Sequence, residues 1–480
     1  MEPMSNRLKI AGATAALAGA WLATGTAGAA VGDAAAPAPS PVSVPGLTGS
    51  AAAPAQSWNF HVQNTDIVQG YPGLASKYSG PDSLPNGGQT RETASLDLLA
   101  GARLWSGAEA HVDALMYQGF GVDNARGVDG FPNGEAFRLG TGVPNAAISR
   151  LFLRQTIGLG GDQEDVADDP LTLAGKPDVS RLTFTLGRFS AKDIFDNNAY
   201  ANDPRTQFMN WALMANEAWD YPADALGYTT GLVGEWNQPQ WTLRYGFFQM
   251  PRYPNSLTGE DRYLKWPFDG TAQDGPLLAA WGMVGEFERR YRLSDHPGTV
   301  RLLAFLNRAN MADYSAATTL QLANGPGTDY SAARAFRYKY GFGLNWEQEL
   351  ARNVGVFTRL GWNDDQEEGW VFSDVGYAGS LGLSIKGEAW HRADDTFALA
   401  GVMSGISKTE QKFLAAGGTG ILAGDGNLNY GWEQIIETYY DFKVWRSLHT
   451  ALDYQFIVNP AFNQDRGPVS VFGARVHWEF

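Results

Sequence analysis

Residues 472–480 alternate so strictly that few folds can accept them. Phe472, Ala474, Val476, Trp478 and Phe480 fall on one side of an extended strand, and Gly473, Arg475, His477 and Glu479 on the other. A period of two, apolar on one face and ionisable on the other, describes a strand whose outer side meets lipid and whose inner side meets water. A soluble sandwich strand can alternate in the same way. It seldom sets three ionisable groups on its second face and then stops on a terminal Phe.

The other end of the chain reads as an address. Arg7 and Lys9 precede an apolar run from Ile10 to Leu22, and Ala27-Gly28-Ala29 offers a small-residue cleavage site. This is the layout of a secretory signal peptide over residues 1–29, with an uncleaved anchor as the alternative. Residues 30–57 are rich in Ala, Pro, Ser and Gly and cannot bury a core, so they read as a flexible linker. Beyond them no apolar run reaches the ~18–20 residues a spanning helix needs. A chain that stays in a membrane without such helices must close a sheet on itself. The expected domain is a transmembrane antiparallel β-barrel over residues 58–480. The 57 glycines and 16 tryptophans suit its turns and girdles. With no cysteine there are no disulfides, and a net charge of −15 argues against a nucleic-acid partner.

The alternation recurs along the chain. Between Thr93 and Leu104 the outer face is Ala94, Leu96, Leu98, Ala100, Ala102 and Leu104. From Ala108 to Met116, Glu109, His111 and Asp113 turn inward, after a tight turn at Ser106-Gly107. Tyr228–Trp236 and Trp241–Met250 form a hairpin flanked by Trp236 and Trp241. Tyr340, Phe342, Leu344 and Trp346 alternate with Gly341, Gly343, Asn345 and Glu347 before a turn at 351–353. Short turns on one side and long polar segments on the other predict an even number of strands, about sixteen. One segment departs from the pattern: Asp203 as cap and Pro204 in the first turn predict a short helix over 204–219. Phe208, Trp211, Ala212, Ala215 and Trp219 follow at helical spacing.

Chemistry other than transport finds little support. No Gly-x-Ser-x-Gly is present, and the nearest approach, 378–382, lacks its first Gly. The carboxylate clusters at 162–169 and 363–368 lack calcium-loop spacing, so no metal and no cofactor are expected. An adhesin or envelope tether finds no recognisable module in the linker.

Several stretches resemble the carbohydrate-selective porins of Gram-negative outer membranes, the OprB type. They are Gly187-Arg188-Phe189 running to Asp193-Ile194-Phe195-Asp196, then Phe208-Met209-Asn210-Trp211, Trp390-His391-Arg392-Ala393-Asp394-Asp395, and Tyr430-Gly431-Trp432-Glu433. Asp453 to Pro460 and Asp465 to Val469 complete the set. Ala393 stands where the family often has Pro. The resemblance spans about 58–480. It implies an all-β barrel of sixteen strands with inward-folded loops, which passes glucose and related sugars passively into the periplasm. It also implies an eyelet rich in Arg with acidic and aromatic partners. Non-selective or anion and organic-acid diffusion is the alternative. Outer-membrane lipid and lipopolysaccharide would surround the barrel. Barrel assembly machinery would engage the terminal strand ending in Phe480, and a homo-oligomer is left open.

Sugar hydroxyls both donate and accept, so facing Arg and carboxylate groups replace part of the water shell, and flat rings meet the C–H face. By phase, Arg103, Glu109, His111, Asp113, Arg150, Arg154, Arg181, Glu235, Arg244, Arg359, Glu388 and Glu437 point inward. The family-like stretches add Arg188, Asp193, Asp196 and Arg205, with Trp211 as an aromatic wall. Arg188 shares the outward phase of Leu182, Phe184 and Leu186, so it needs a bulge or a place beyond the hydrocarbon band. The substrate-binding set is therefore Arg103, Arg154, Arg188, Asp193, Asp196, Arg205, Trp211, Glu235, Arg359 and Glu388.

Overall fold

The computed structural model describes residues 56–136, 140–251, 254 and 279–480. The expected leader and all but the last two residues of the expected linker lie outside the described residues. The chain opens with β1 (Trp58–Tyr71), β2 (Gln89–Trp105), β3 (Ala108–Gly119), β4 (Thr141–Gly158) and β5 (Arg181–Phe189). Next come β6 (Thr229–Gln238), β7 (Trp241–Gln249), β8 (Trp281–Leu293), β9 (His296–Ala312), β10 (Arg334–Ala351) and β11 (Val354–Asn363). The last five are β12 (Tyr377–Gly387), β13 (Arg392–Gly405), β14 (Glu433–Trp445), β15 (Leu448–Val458) and β16 (Val469–Glu479).

Each strand pairs antiparallel with its sequence neighbours, and β1 closes on β16 from Gln63↔Glu479 to Gly70↔Phe472. The result is a closed barrel of sixteen strands with no free edge, which satisfies the backbone where lipid cannot. Alternation sets its two faces. Leu98, Leu104, Leu232, Leu243, Phe472 and Val476 are exposed on the outside, while Asp97, Glu109, His111 and Arg475 are buried within. Tight turns close one end. Ser294 and Asp295 both take left-handed φ (49° and 67°), the primed geometry that matches strand twist. Trp236 and Trp241 meet edge to face there at 5.1 Å. At the other end, where the long loops emerge, Phe342 stacks on Trp362 at 6.2 Å and Phe247 on Trp281 at 5.9 Å. The two aromatic levels mark a band between them. The connection 159–180 is the exception on the tight-turn end. Its Ala174 exchanges hydrogen bonds with Gln56, and Asn59 donates to Asp168 at 2.9 Å.

The lumen is narrower than two plain solvents would predict, because the long loops fold into it. Phe195, from the β5–β6 connection, meets Phe248 and Trp219 at 6.1 and 6.4 Å, and Phe208 meets Tyr439 and Phe357 at 5.0 and 5.5 Å. Much of the interior is filled by packed loop side chains, and the expected helix over 204–219 is corrected with it. Only α1 (Trp211–Met214) is helical, capped by Asn210, whose Oδ1 accepts from Ala212 N at 2.9 Å. Asp203 does accept from Arg205 N at 2.9 Å, but the chain then leaves the helical path. Glu437 takes the amides of Met209 and Asn210, and Arg475 takes the carbonyls of Pro204 and Gln207. Tertiary bonds claim the groups a helix would have paired.

Candidate functional site

The β5–β6 connection, 190–228, follows the inner wall and is gripped by it. Its first turn is a capping box: Ser190 Oγ accepts from Lys192 N, and Asp193 Oδ2 accepts from Ser190 N at 3.0 Å. Arg150 of β4 then binds Asp193 through two bonds of 2.8 Å and Asp113 through one of 2.7 Å. Asp196 is the hub. Its Oδ1 accepts from Arg359 Nε at 3.1 Å and Asn345 Nδ2 at 2.7 Å. Its Oδ2 accepts from Asn216 N at 2.8 Å and Lys192 Nζ at 3.4 Å. Glu286 of β8 accepts from Asp196 N at 2.7 Å, and Glu347 of β10 from Ala199 N at 2.6 Å. Wall carboxylates thus hold main-chain amides at several points around the cylinder.

Three other connections join it. Phe131, from 120–136, stacks on Trp211 at 5.2 Å and 11°. Phe372, from 364–376, lies 5.1 Å from Trp211 and 5.0 Å from Tyr221. Asp374 accepts from the amides of Ile421, Leu422 and Ala423, tying in the β13–β14 connection. Glu433 accepts from the amides of Asp129, Gly130 and Ala461. This roof buries Asp129, Glu217 and Glu410. Burial first, and then neighbouring carboxylates, push all three well above the usual carboxylate range.

Between loop and wall lies a cavity of about 180 Å³. Phe131, Trp211, Tyr221, Tyr228 and Phe372 give it aromatic surface, and Arg150, Lys192, Arg205, Glu135, Asp193 and Asp203 give it charge. Arg205 reaches both oxygens of Glu135 at 3.1 Å and Asp97 at 3.4 Å. Burial lowers the Lys192 ammonium, against the pull of Asp196, to about 8. The Trp211 Nε1–H is buried with no acceptor among the described residues.

Of the residues expected from sequence, Asp193, Arg205 and Trp211 line this cavity together. Asp196 and Arg359 meet behind it as a clamp. Arg188 enters the interior where Gly187 takes φ 140° and β4 carries a bulge between Ile148 and Arg150. Its Nε donates to Ile148 O at 3.1 Å, and it pairs with Asp224 at 2.5 Å. Arg154 pairs with Glu109 at 3.0 Å under the 159–180 connection, and Arg103 donates to Gln56 O at 3.0 Å near the tight-turn rim. Glu235 starts a wall ladder through Arg244 and Glu288 to Arg301. Glu388 is a correction: it lies in the turn between β12 and β13, past the end of the strand whose phase pointed it inward. There it pairs with solvent-exposed Arg352 at 3.1 Å. Sequence reasoning missed Glu135, Lys192, Tyr221 and Phe372. All lie in connections, where no periodicity marks a face; Lys192 alone had a signal, as neighbour to Asp193.

The profile of the carbohydrate-selective porin, OprB family, matches residues 82–480. The chain belongs to this family. Family and fold make it an outer-membrane porin, and indicate a channel rather than an enzyme. Among solved structures it is similar to Pseudomonas putida OprB at high pH. The TM-score is 0.65 at 16% identity, covering 88% of this chain and 94% of that one. The low-pH structure of the same protein gives 0.47 at 13% identity, over 88% and 93%. Pseudomonas aeruginosa OccK1 gives 0.41 at 10% identity, over 88% and 98%. At these identities the likeness is one of fold, and only the first score is high enough to support it. No curated protein sequence matches this porin.

Proposed function

We propose that this porin passes glucose and related neutral sugars down their gradient into the periplasm through the Trp211 cavity. The charge balance of that cavity carries the reading. Three cationic side chains (Arg150, Lys192, Arg205) face three acidic ones (Glu135, Asp193, Asp203). A compensated lining holds no net field for an ion of either sign, yet offers donors and acceptors on every side. Five aromatic rings add flat apolar surface. An anion or organic-acid channel would need an excess of cations here. Each contact is modest, as conduction requires. The test is planar-bilayer conductance with glucose and a short oligosaccharide titrated to high millimolar levels. Sugar should reduce the ion current in a saturable way. A current that falls only as bulk viscosity rises refutes the sugar site and leaves a general porin.

A further inference from the structure

Six of the seven connections at the tight-turn end contain two to four residues, all that a hairpin needs. The seventh, 159–180, is far longer and folds as a hairpin of its own. Gln163 bridges Asp178, Val166 bridges Gly175, and Asp169 bridges Thr172 at the tip. That tip lies inside the cylinder. Asn59, inward on β1 between outward Trp58 and Phe60, donates to Asp168 Oδ1 at 2.9 Å and Asp169 O at 3.0 Å. Arg154, inward on β4, donates to Leu171 O at 2.8 Å. To touch both walls the tip must cross the inner faces of β2 and β3, about 14 Å at ~4.8 Å per strand. Leu173 and Ala174 are buried, and Leu171 packs against the apolar cluster that holds Phe152, Phe189 and Trp211. A loop hanging clear of the rim would leave these side chains in water.

The hairpin is pinned along its whole length. At its base Arg181 donates to Glu164 at 2.6 Å, and Gly160 N to Asp178 at 2.8 Å. In the middle Ala174 exchanges its two backbone bonds with Gln56, and Arg103 reaches the carbonyls of both. Its depth is set by β4. Arg154 holds the tip, Phe152 is the next inward side chain, and Arg150 beyond it lines the Trp211 cavity. Those four residues span about 13 Å of strand, so the tip is the next structure below the cavity on the way to the tight-turn mouth. The tip also carries charge. Asp168 meets Asn59 and His61, and Asp169 accepts from Leu171 N. Among the described residues neither forms an ion pair with Lys or Arg. Burial pushes the Asp169 carboxyl up to about 6, which leaves most of it ionised at pH 7.

We propose that the 159–180 hairpin is a second constriction of the channel, at the mouth where solute leaves, and that its tip, 168–172, limits solute size there. The inference rests on the porin fold and stands apart from the sugar reading of the Trp211 cavity. Two variants test it, each checked for folding by heat-modifiable gel migration. In the first, residues 167–174 are replaced by Asn-Gly, a two-residue turn that closes the Val166–Gly175 bridge. Single-channel conductance should rise about twofold, and larger polyethylene glycols should enter from the tight-turn side and reduce the current. In the second, Asp168→Asn and Asp169→Asn are combined, which keeps each Oδ1 acceptor and removes both charges. Under a salt gradient at pH 7 its reversal potential should move toward anion preference, because ions must pass the tip. An unchanged conductance and size limit in the folded short-hairpin barrel overturns the proposal. So does a reversal potential that does not move in the double Asn variant, which decides the matter where the shortened chain fails to fold. Both currents are read without sugar, so failure of the sugar site and failure of this constriction are separate results.

Discussion

Replacing Asp196 by Ala separates the two jobs this fold combines, making a cylinder and narrowing it. The carboxylate accepts from Arg359, Asn345, Asn216 and Lys192. Both cations are buried, so removing their anion leaves uncompensated charge in the interior, at a cost of about 3–5 kcal/mol. At ~1.4 kcal/mol per factor of ten, the balance between docked and released loop moves by roughly two to three and a half orders of magnitude. The strand ladders make no use of Asp196, so the barrel should form as before. Single-channel recording should then show higher, noisier conductance and weaker sugar block, with heat-modifiability unchanged. Asp196→Asn should fall between, because its amide keeps one acceptor but turns a donor toward Asn216 N. Acid should imitate the lesion. Burial raises the Asp196 carboxyl, but Arg359 and Lys192 outweigh it and hold it below its ordinary 3.8. Its contribution is therefore present above 3.8 and is lost as pH falls through the depressed value. Wild-type conductance and sugar block in Asp196→Ala would refute the clamp.

Trp211→Ala removes the ring shared by Phe131 and Phe372, and should raise the half-blocking glucose concentration severalfold while conductance rises; an unchanged block would place the sugar elsewhere. Because Lys192 titrates near 8, moving from pH 7 to 9 should remove one positive charge from the cavity and shift the reversal potential toward cation preference. Lys192→Met should abolish that step, and a step that survives it belongs to another group. The roof should weaken in the opposite direction to the clamp. Asp129, Glu217 and Glu410 are raised above their unfolded values, so their stabilisation is full below the ordinary carboxylate range and is lost as pH rises through the raised values. Protection against hydrogen exchange in 120–136 and 406–432, after the intrinsic base-catalysed rate is divided out, should fall as pH rises, and fall less in Glu217→Gln; protection that does not change with pH in the wild type sinks this account.

The cylinder was legible because lipid and protein interior impose opposite chemistry on adjacent residues, and Arg475 beside Val476 or Arg103 beside Leu104 record that in two letters. The path of 190–228 was not. Its helical spacing is real, yet the bonds that shape it come from Glu437 and Arg475, more than two hundred residues away. Phase also fails where a strand ends, which put Glu388 on the wrong side, and where a strand is kinked, which hid how Arg188 turns in. Glu135, Phe372 and Tyr221 reach the cavity from connections whose course no local pattern encodes. The inward charges were found by type: Arg359 and Glu437 face inward as expected, and both hold the 190–228 connection, which no strand pattern encodes.

That grip falls on the polypeptide spine. Glu286, Glu347 and Glu437 bind amides of Asp196, Ala199, Met209 and Asn210, groups every residue except proline supplies. Side chains between those fixings can be exchanged without unfastening the segment, so the aperture can be re-lined for a new solute while its diameter is kept. Proline at any of the four positions is the substitution that such re-lining must avoid.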